Sequence, residues 1–244
     1  MPNHFNSNLS LSRVVITMGD PAGVGPELVI KLAQLNFNAQ LILLGDANYL
    51  VKLASELGFP LELEEIDWEK SVILHKPSKL FIEHIPLQEK VTRGMLSNKN
   101  AKTVLRILNR ASELALLGKV KAIVTAPVHK ANINQIESSF LGHTEFFAEQ
   151  AKINKVVMML ATKNLRMALA TTHIPLSKVS NEITPSLLNE IVRVIDASFN
   201  SIGLSKPKIA ICGINPHAGE DGLLGTEDRD VLKPVINNLI NKGF

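Results

Sequence analysis

The chain has 244 residues, 45% of them hydrophobic, a formal net charge of +3 and a single cysteine. That size allows one large domain or two small ones with substantial cores, and one cysteine excludes an intrachain disulfide and a cysteine-based zinc site. Scattered Lys and Arg without interleaved aromatics argue against nucleic acid as the main partner, and no apolar run is long enough to cross a bilayer.

Taken in chain order, residues 13–18 (RVVITM) read as a buried strand, 26–35 as a helix and 40–45 (QLILLG) as a second strand. Residues 71–75 (SVILH) and 79–84 (KLFIEH) read as strands, and 98–117 as a long helix. A strand at 122–126, a helix around 143–152, and strands at 156–161 and 165–171 follow. Helix 185–199 precedes an expected strand at 208–214 (KIAICGI), in which Cys212 reads as a small core residue. The last helical pattern runs through EDRDVLKPVINNLI, with Pro234 breaking or kinking it. Apolar strands separated by amphipathic helices predict an α/β fold with a largely parallel sheet. In such an alternation a strand should follow the final helix, so Phe244 reads as a cut. The N-terminal MPNHFNSNLSLS has no apolar signal core, and a reducing, cytoplasmic setting is expected.

Four stretches could carry chemistry. MGDPAGVGPELVIK (18–31) runs from a strand through Gly19, Gly23 and Gly25 into a helix. It could present backbone N–H groups to an anion or be a tight βα turn. It is neither the dinucleotide G-x-G-x-x-G pattern nor a Walker loop. Among seven histidines, His75 and His84 read as packing or surface residues, whereas His129, His173 and His217 each fall just past an apolar run. Ligands collect outside the carboxyl ends of parallel strands, so three neighbouring parallel strands would put these histidines on one rim. His173 and His217 make the best metal pair, suited to Zn²⁺, Co²⁺ or Mn²⁺. A catalytic metal normally takes three protein ligands; the third would be a carboxylate such as Asp221 or lie beyond Phe244. In LGHTEFFAE, His143 and Thr144 open a helix, either as an anion grip or as simple capping. In TAPVHK (125–130), Lys130 could aim a cation at an anionic substrate.

TMGDPAGVGPE, TAPVHK, LGHTEF, ATTHIPL and NPHAGEDG, in this order, resemble the 4-hydroxythreonine-4-phosphate dehydrogenases of vitamin B6 synthesis. The resemblance runs from Ile16 to the last helix. It implies an isocitrate/isopropylmalate dehydrogenase-like fold of two α/β domains with a cleft between them. The expected division is residues 1–128 and 129–244, the second carrying metal and substrate, with the first domain completed by a further C-terminal segment. It implies NAD or NADP and a divalent metal (Zn, Mg, Co or Mn) as cofactors, and a homodimer with its active site at the subunit interface. His143 and Thr144 match the family's substrate-binding pair, and His173 and His217 match two of its three metal-ligand histidines. The third histidine and further substrate residues fall in a segment this sequence lacks, so the chain reads as C-terminally truncated. No cofactor-binding residue is assigned.

The implied reaction oxidises 4-phosphooxy-L-threonine at C3 and decarboxylates the resulting β-keto acid to 3-amino-2-oxopropyl phosphate. Lys130 is the candidate catalytic base in this sequence, with a residue of the missing segment as the alternative. Rival readings are a 4-phospho-D-threonate or 4-phospho-D-erythronate dehydrogenase, a phosphate acyltransferase-like enzyme, or a non-catalytic binding protein made from a truncated enzyme.

Overall fold

The structure is a computed structural model, and it describes residues 11–215 and 217–244. By contacts the chain divides into two compact units, one ending at Lys152 and the other beginning at Ile153.

The first unit is built on five strands: β1 (Arg13–Thr17), β2 (Gln40–Gly45), β3 (Glu62–Glu65), β4 (Lys79–His84) and β5 (Ala122–Thr125). They form one sheet in the order β3-β4-β2-β1-β5, and every pairing is parallel. The central strand β2 is apolar from Leu41 to Leu44 and buried at all six positions, as a strand covered on both faces should be. Helices α1 (Gly25–Leu32), α2 (Ala47–Leu57) and α3 (Asn98–Leu116) bring Val29, Ile30, Leu50, Leu53, Ile107 and Leu114 to the same core as Ile42, Leu43 and Ile82.

Local chemistry sets the helix ends. Asp46 accepts from the Tyr49 N–H at the start of α2, and Gly58 ends it in the left-handed region at φ +74°. Ser97 caps α3 through the Asn100 N–H. Beyond β5, α4 (Lys130–Ile133) and α5 (His143–Gln150) pack on α3. There Ile133 and Phe140 join Ala101, Val104 and Leu108 in a second cluster. That packing explains why the contact division falls after Lys152 rather than at the expected 128/129.

One expected strand of this unit is absent and two further elements are present. Residues 71–75 form no strand. Ile73 and Leu74 stay exposed, while His75 is held by its N–H to Ala39 O at 2.9 Å and by Nε2 against Ala33 O at 3.2 Å. Helix α2 and the short exposed strand β3 are present where the sequence reading named no element.

The second unit holds a two-stranded antiparallel ribbon, β6 (Met159–Ala161) and β7 (Arg166–Ala168). The helices α6 (Val179–Glu182), α7 (Pro185–Ser201) and α8 (Lys233–Asn241) follow. Its core joins Ile183, Leu188 and Val192 with Leu232, Val235 and Leu239. The expected strand 208–214 forms no ladder. Ile211 and Ile214 pack on the core, but Ile209 is exposed, and Cys212 is exposed rather than buried. The last helical pattern divides in two: a π-helical turn (Asp228–Leu232) leads into α8, with Pro234 in the first turn of α8. Pro234 thus falls where the π-helical turn gives way to the α-helix.

Candidate active site

Strands β1 and β5 are adjacent and parallel, with Thr17 opposite Thr125. Their following loops therefore leave the same edge of the sheet and pack on each other. The Asp20 N–H donates to Pro127 O at 3.0 Å, and the Asp20 carboxylate accepts from the Ala22 N–H at 2.9 Å. A Cβ on Gly19 would lie 2.4 Å from Pro127 O, and one on Gly25 would lie 2.1 Å from Met18 O. Backbone approach thus fixes these two glycines. Contacts within the protein therefore account for Gly19 and Gly25, while Gly23 and Val24 between them are exposed.

From β5 the chain turns through Ala126 and Pro127 into α4. His129 caps this helix, its Nδ1 accepting from the Asn132 N–H at 3.2 Å. The next residue, Lys130, is exposed and makes no ion pair among the described residues. Its Nζ lies 3.3 Å from where a Cβ on Gly142 would stand. Gly142 precedes α5 and offers no side-chain cap, so first-turn N–H groups of that helix lack a side-chain acceptor.

His143 opens α5 between two aromatic rings: Phe140 meets it edge-on at 6.4 Å and Phe147 stacks at 6.3 Å. Its Nε2 is buried without a hydrogen-bond partner. Burial, and secondarily the Lys130 charge, holds its pKa below the ordinary histidine value. The ring is therefore kept neutral, with one nitrogen uncommitted. Thr144 follows it, exposed. Lys130, His143 and Thr144 are thus brought to one place, the N-terminus of α5, where cation, helix dipole and open N–H groups favour an anion. The Glu145 carboxylate stands at the same point, its Oε2 3.0 Å from the Cβ position on Gly142, and an entering anion would displace it. The sequence reading had not included Gly142; a glycine directly before the helix-opening histidine was the available signal.

The second unit carries His173 and His217. His173 is exposed and sits in the left-handed region at φ +55°. Its ring makes no hydrogen bond or ion pair among the described residues. His217 is 67% exposed at its side chain, and its Nδ1 lies 3.8 Å from Glu220 Oε1. Pro216 lies outside the described residues. Two imidazoles with free ring nitrogens fit a divalent transition metal in donor type. Among the described residues no group of three His, Cys, Asp or Glu converges, so Asp221 does not complete a triad with them.

The expectation of three histidines past three parallel strands is corrected. β5 belongs to the parallel sheet, β7 pairs antiparallel in a separate ribbon, and the run before His217 forms no ladder. His129, moreover, is committed to capping α4.

The family described as "Pyridoxal phosphate biosynthetic protein PdxA" matches residues 37–244. A 4-hydroxythreonine-4-phosphate dehydrogenase of Pseudoalteromonas atlantica is 45% identical over 233 residues, 95% of this chain and 71% of that protein. The crystal structure of the enzyme of that name from Klebsiella pneumoniae superposes with a TM-score of 0.86 at 31% identity, covering 95% of this chain and 73% of its own. Its counterpart from Burkholderia phymatum gives 0.83 at 31%, covering 96% and 72%.

Proposed function

The chain belongs to the PdxA family of pyridoxal phosphate biosynthetic proteins, and from that premise we propose that it is a 4-hydroxythreonine-4-phosphate dehydrogenase. The substrate would be 4-phosphooxy-L-threonine. Its C3 hydroxyl is oxidised to a ketone, a nicotinamide cofactor (NAD or NADP) taking the hydride while a proton is released. The β-keto acid then loses CO₂ to give 3-amino-2-oxopropyl phosphate.

The observation that carries the reading is the anion seat at α5. Lys130 supplies a cation and Thr144 a hydroxyl, beside helix N–H groups without a side-chain cap, while the unpartnered His143 Nε2 lies buried and would have to be uncovered to reach a ligand. A phosphate monoester presents oxygens to the cation, the hydroxyl and the N–H groups at once. The Phe140 and Phe147 rings fix the orientation of His143 and shield its inner face from water. Lys130 is also the candidate catalytic base for the C3 hydroxyl proton, a role open only to its neutral amine and so not to the ammonium that pairs with the phosphate.

His173 and His217 would hold the divalent metal (Zn, Mg, Co or Mn). When bound, such an ion supplies Lewis acidity toward a substrate oxygen. No residue is named for the nicotinamide. The family resemblance also underlies proposing a cytoplasmic homodimer whose active site lies at the subunit interface; sedimentation of the purified chain tests the dimer.

The test of function is turnover. Chain supplied with 4-phosphooxy-L-threonine, NAD or NADP, and Zn²⁺, Co²⁺, Mn²⁺ or Mg²⁺ in separate assays should form reduced cofactor and CO₂ in equal amounts. Reduction with 4-phospho-D-threonate or 4-phospho-D-erythronate and none with 4-phosphooxy-L-threonine would overturn the substrate assignment.

A further inference from the structure

We infer that Asp228 is a positioning residue for His217 and that it acts through Asn215. The inference rests on the proposed ligand role of His217. Asp228 is 6% exposed and lies in the π-helical turn that precedes α8. A buried carboxylate is costly unless hydrogen bonds satisfy it, and here two backbone groups do. Oδ1 accepts from the Ile214 N–H at 3.2 Å and Oδ2 from the Asn215 N–H at 3.1 Å. Gly213 makes the approach possible, because a Cβ there would stand 2.8 Å from Asp228 Oδ1.

Asn215, held from behind in this way, closes the loop in front. Its Oδ1 accepts from the His217 N–H at 3.2 Å, and its Nδ2 donates to Leu224 O at 2.8 Å. One side chain therefore ties the backbone under the histidine to the far end of the same loop. The residues between need that restraint. Ala218, Gly219, Glu220 and Asp221 all have positive φ, at +49°, +80°, +43° and +55°. Non-glycine residues stay in this region only when surrounding contacts over-determine the backbone. The His217 ring is too exposed to be oriented by packing, so its direction is set by the backbone beneath it. The helical turn at 228–232 thus reaches the ligand loop through two side chains, neither of which needs to touch a metal.

The test is a titration of the chain with Co²⁺ alone, read by its visible ligand-field absorption, for the unsubstituted protein and for His217→Ala, Asp228→Ala and Asn215→Ala. His217→Ala should abolish the absorption. Asp228→Ala and Asn215→Ala should retain His217 yet bind Co²⁺ about 10- to 100-fold more weakly, the range of a lost supporting contact at a metal site. Loss of binding in His217→Ala with unchanged binding in both other variants overturns the inference. Should Asp228→Ala fail to fold, Asn215→Ala decides alone, since it keeps Asp228 and both its backbone bonds. Unchanged binding in His217→Ala, or no Co²⁺ uptake by the unsubstituted chain, would count against the ligand reading and not against the clamp. In that event hydrogen exchange at the His217 amide decides. Acceleration by roughly 5-fold or more in Asn215→Ala supports the clamp, and unchanged exchange overturns it.

Discussion

Replacing Lys130 with Met separates the two jobs proposed for this residue. The substitution keeps an unbranched stem of similar length and removes the ammonium that lies 3.3 Å from the Cβ position on Gly142. A charge-assisted hydrogen bond to a phosphate oxygen is worth about 1.5–3 kcal/mol, which corresponds to a rise of about 10- to 150-fold in KM for the phosphorylated substrate. If its neutral amine instead takes the hydroxyl proton, kcat falls by about 10²–10⁴. A second readout comes from the neighbouring histidine. Lys130 is the lesser of two causes that lower the His143 pKa, burial being the larger. The variant should therefore raise that pKa without restoring the ordinary value. Steady-state kinetics and an NMR titration of the imidazole measure both effects. A KM within 2-fold of the unsubstituted chain, with the His143 titration unmoved, would refute the reasoning.

Further outcomes follow from the same geometry. The His143 pKa is lowered in the folded state, so below the unfolded value of about 6.5 the unfolded chain binds more protons. The associated stability is present above that pH and is lost as pH falls toward the folded pKa. Thermal midpoints measured from neutral to acid pH should accordingly fall less in His143→Gln than in the unsubstituted protein, and equal slopes would contradict this. His173→Gly should be more stable than His173→Ala by about 1 kcal/mol, because alanine keeps the left-handed strain at φ +55° and glycine does not; both should lose metal. Gly25→Ala places a Cβ 2.1 Å from a backbone oxygen that cannot move aside as a side chain would. A loss of about 1–3 kcal/mol or more is expected in denaturant unfolding, and an unchanged midpoint would show that the loop can open.

How much was legible in the sequence depended on where the signal came from. QLILLG announces a strand because a parallel strand covered on both faces needs an unbroken apolar run. The long α3 announces itself by helical periodicity. KIAICGI reads the same way as QLILLG and yet forms no strand, because an apolar run specifies burial only where neighbouring strands accept it. In its place Ile211 and Ile214 pack inward and Cys212 faces out. Helix α2 went unnamed although Asp46 and Gly58 bracket it as N-cap and C′ residue. At the site, Lys130, His143 and Thr144 were legible as residue types. Their convergence was not, because it depends on α4 and α5 both packing on α3, with Ile133 and Phe140 set against Ala101, Val104 and Leu108. Asp228 was invisible for a similar reason: its role lies in two backbone bonds to residues 13 and 14 positions earlier.

Whether the phosphate group is held at the start of α5 can be measured directly. Titrating the chain with 4-phosphooxy-L-threonine while following backbone amide resonances measures this without requiring turnover. Saturable shifts at Gly142, His143 and Thr144, together with the Lys130 side chain, are expected, and they should be absent with the same compound lacking its phosphate. Equal shifts with the dephosphorylated compound, or saturable binding that leaves those amides unmoved, would contradict the central claim.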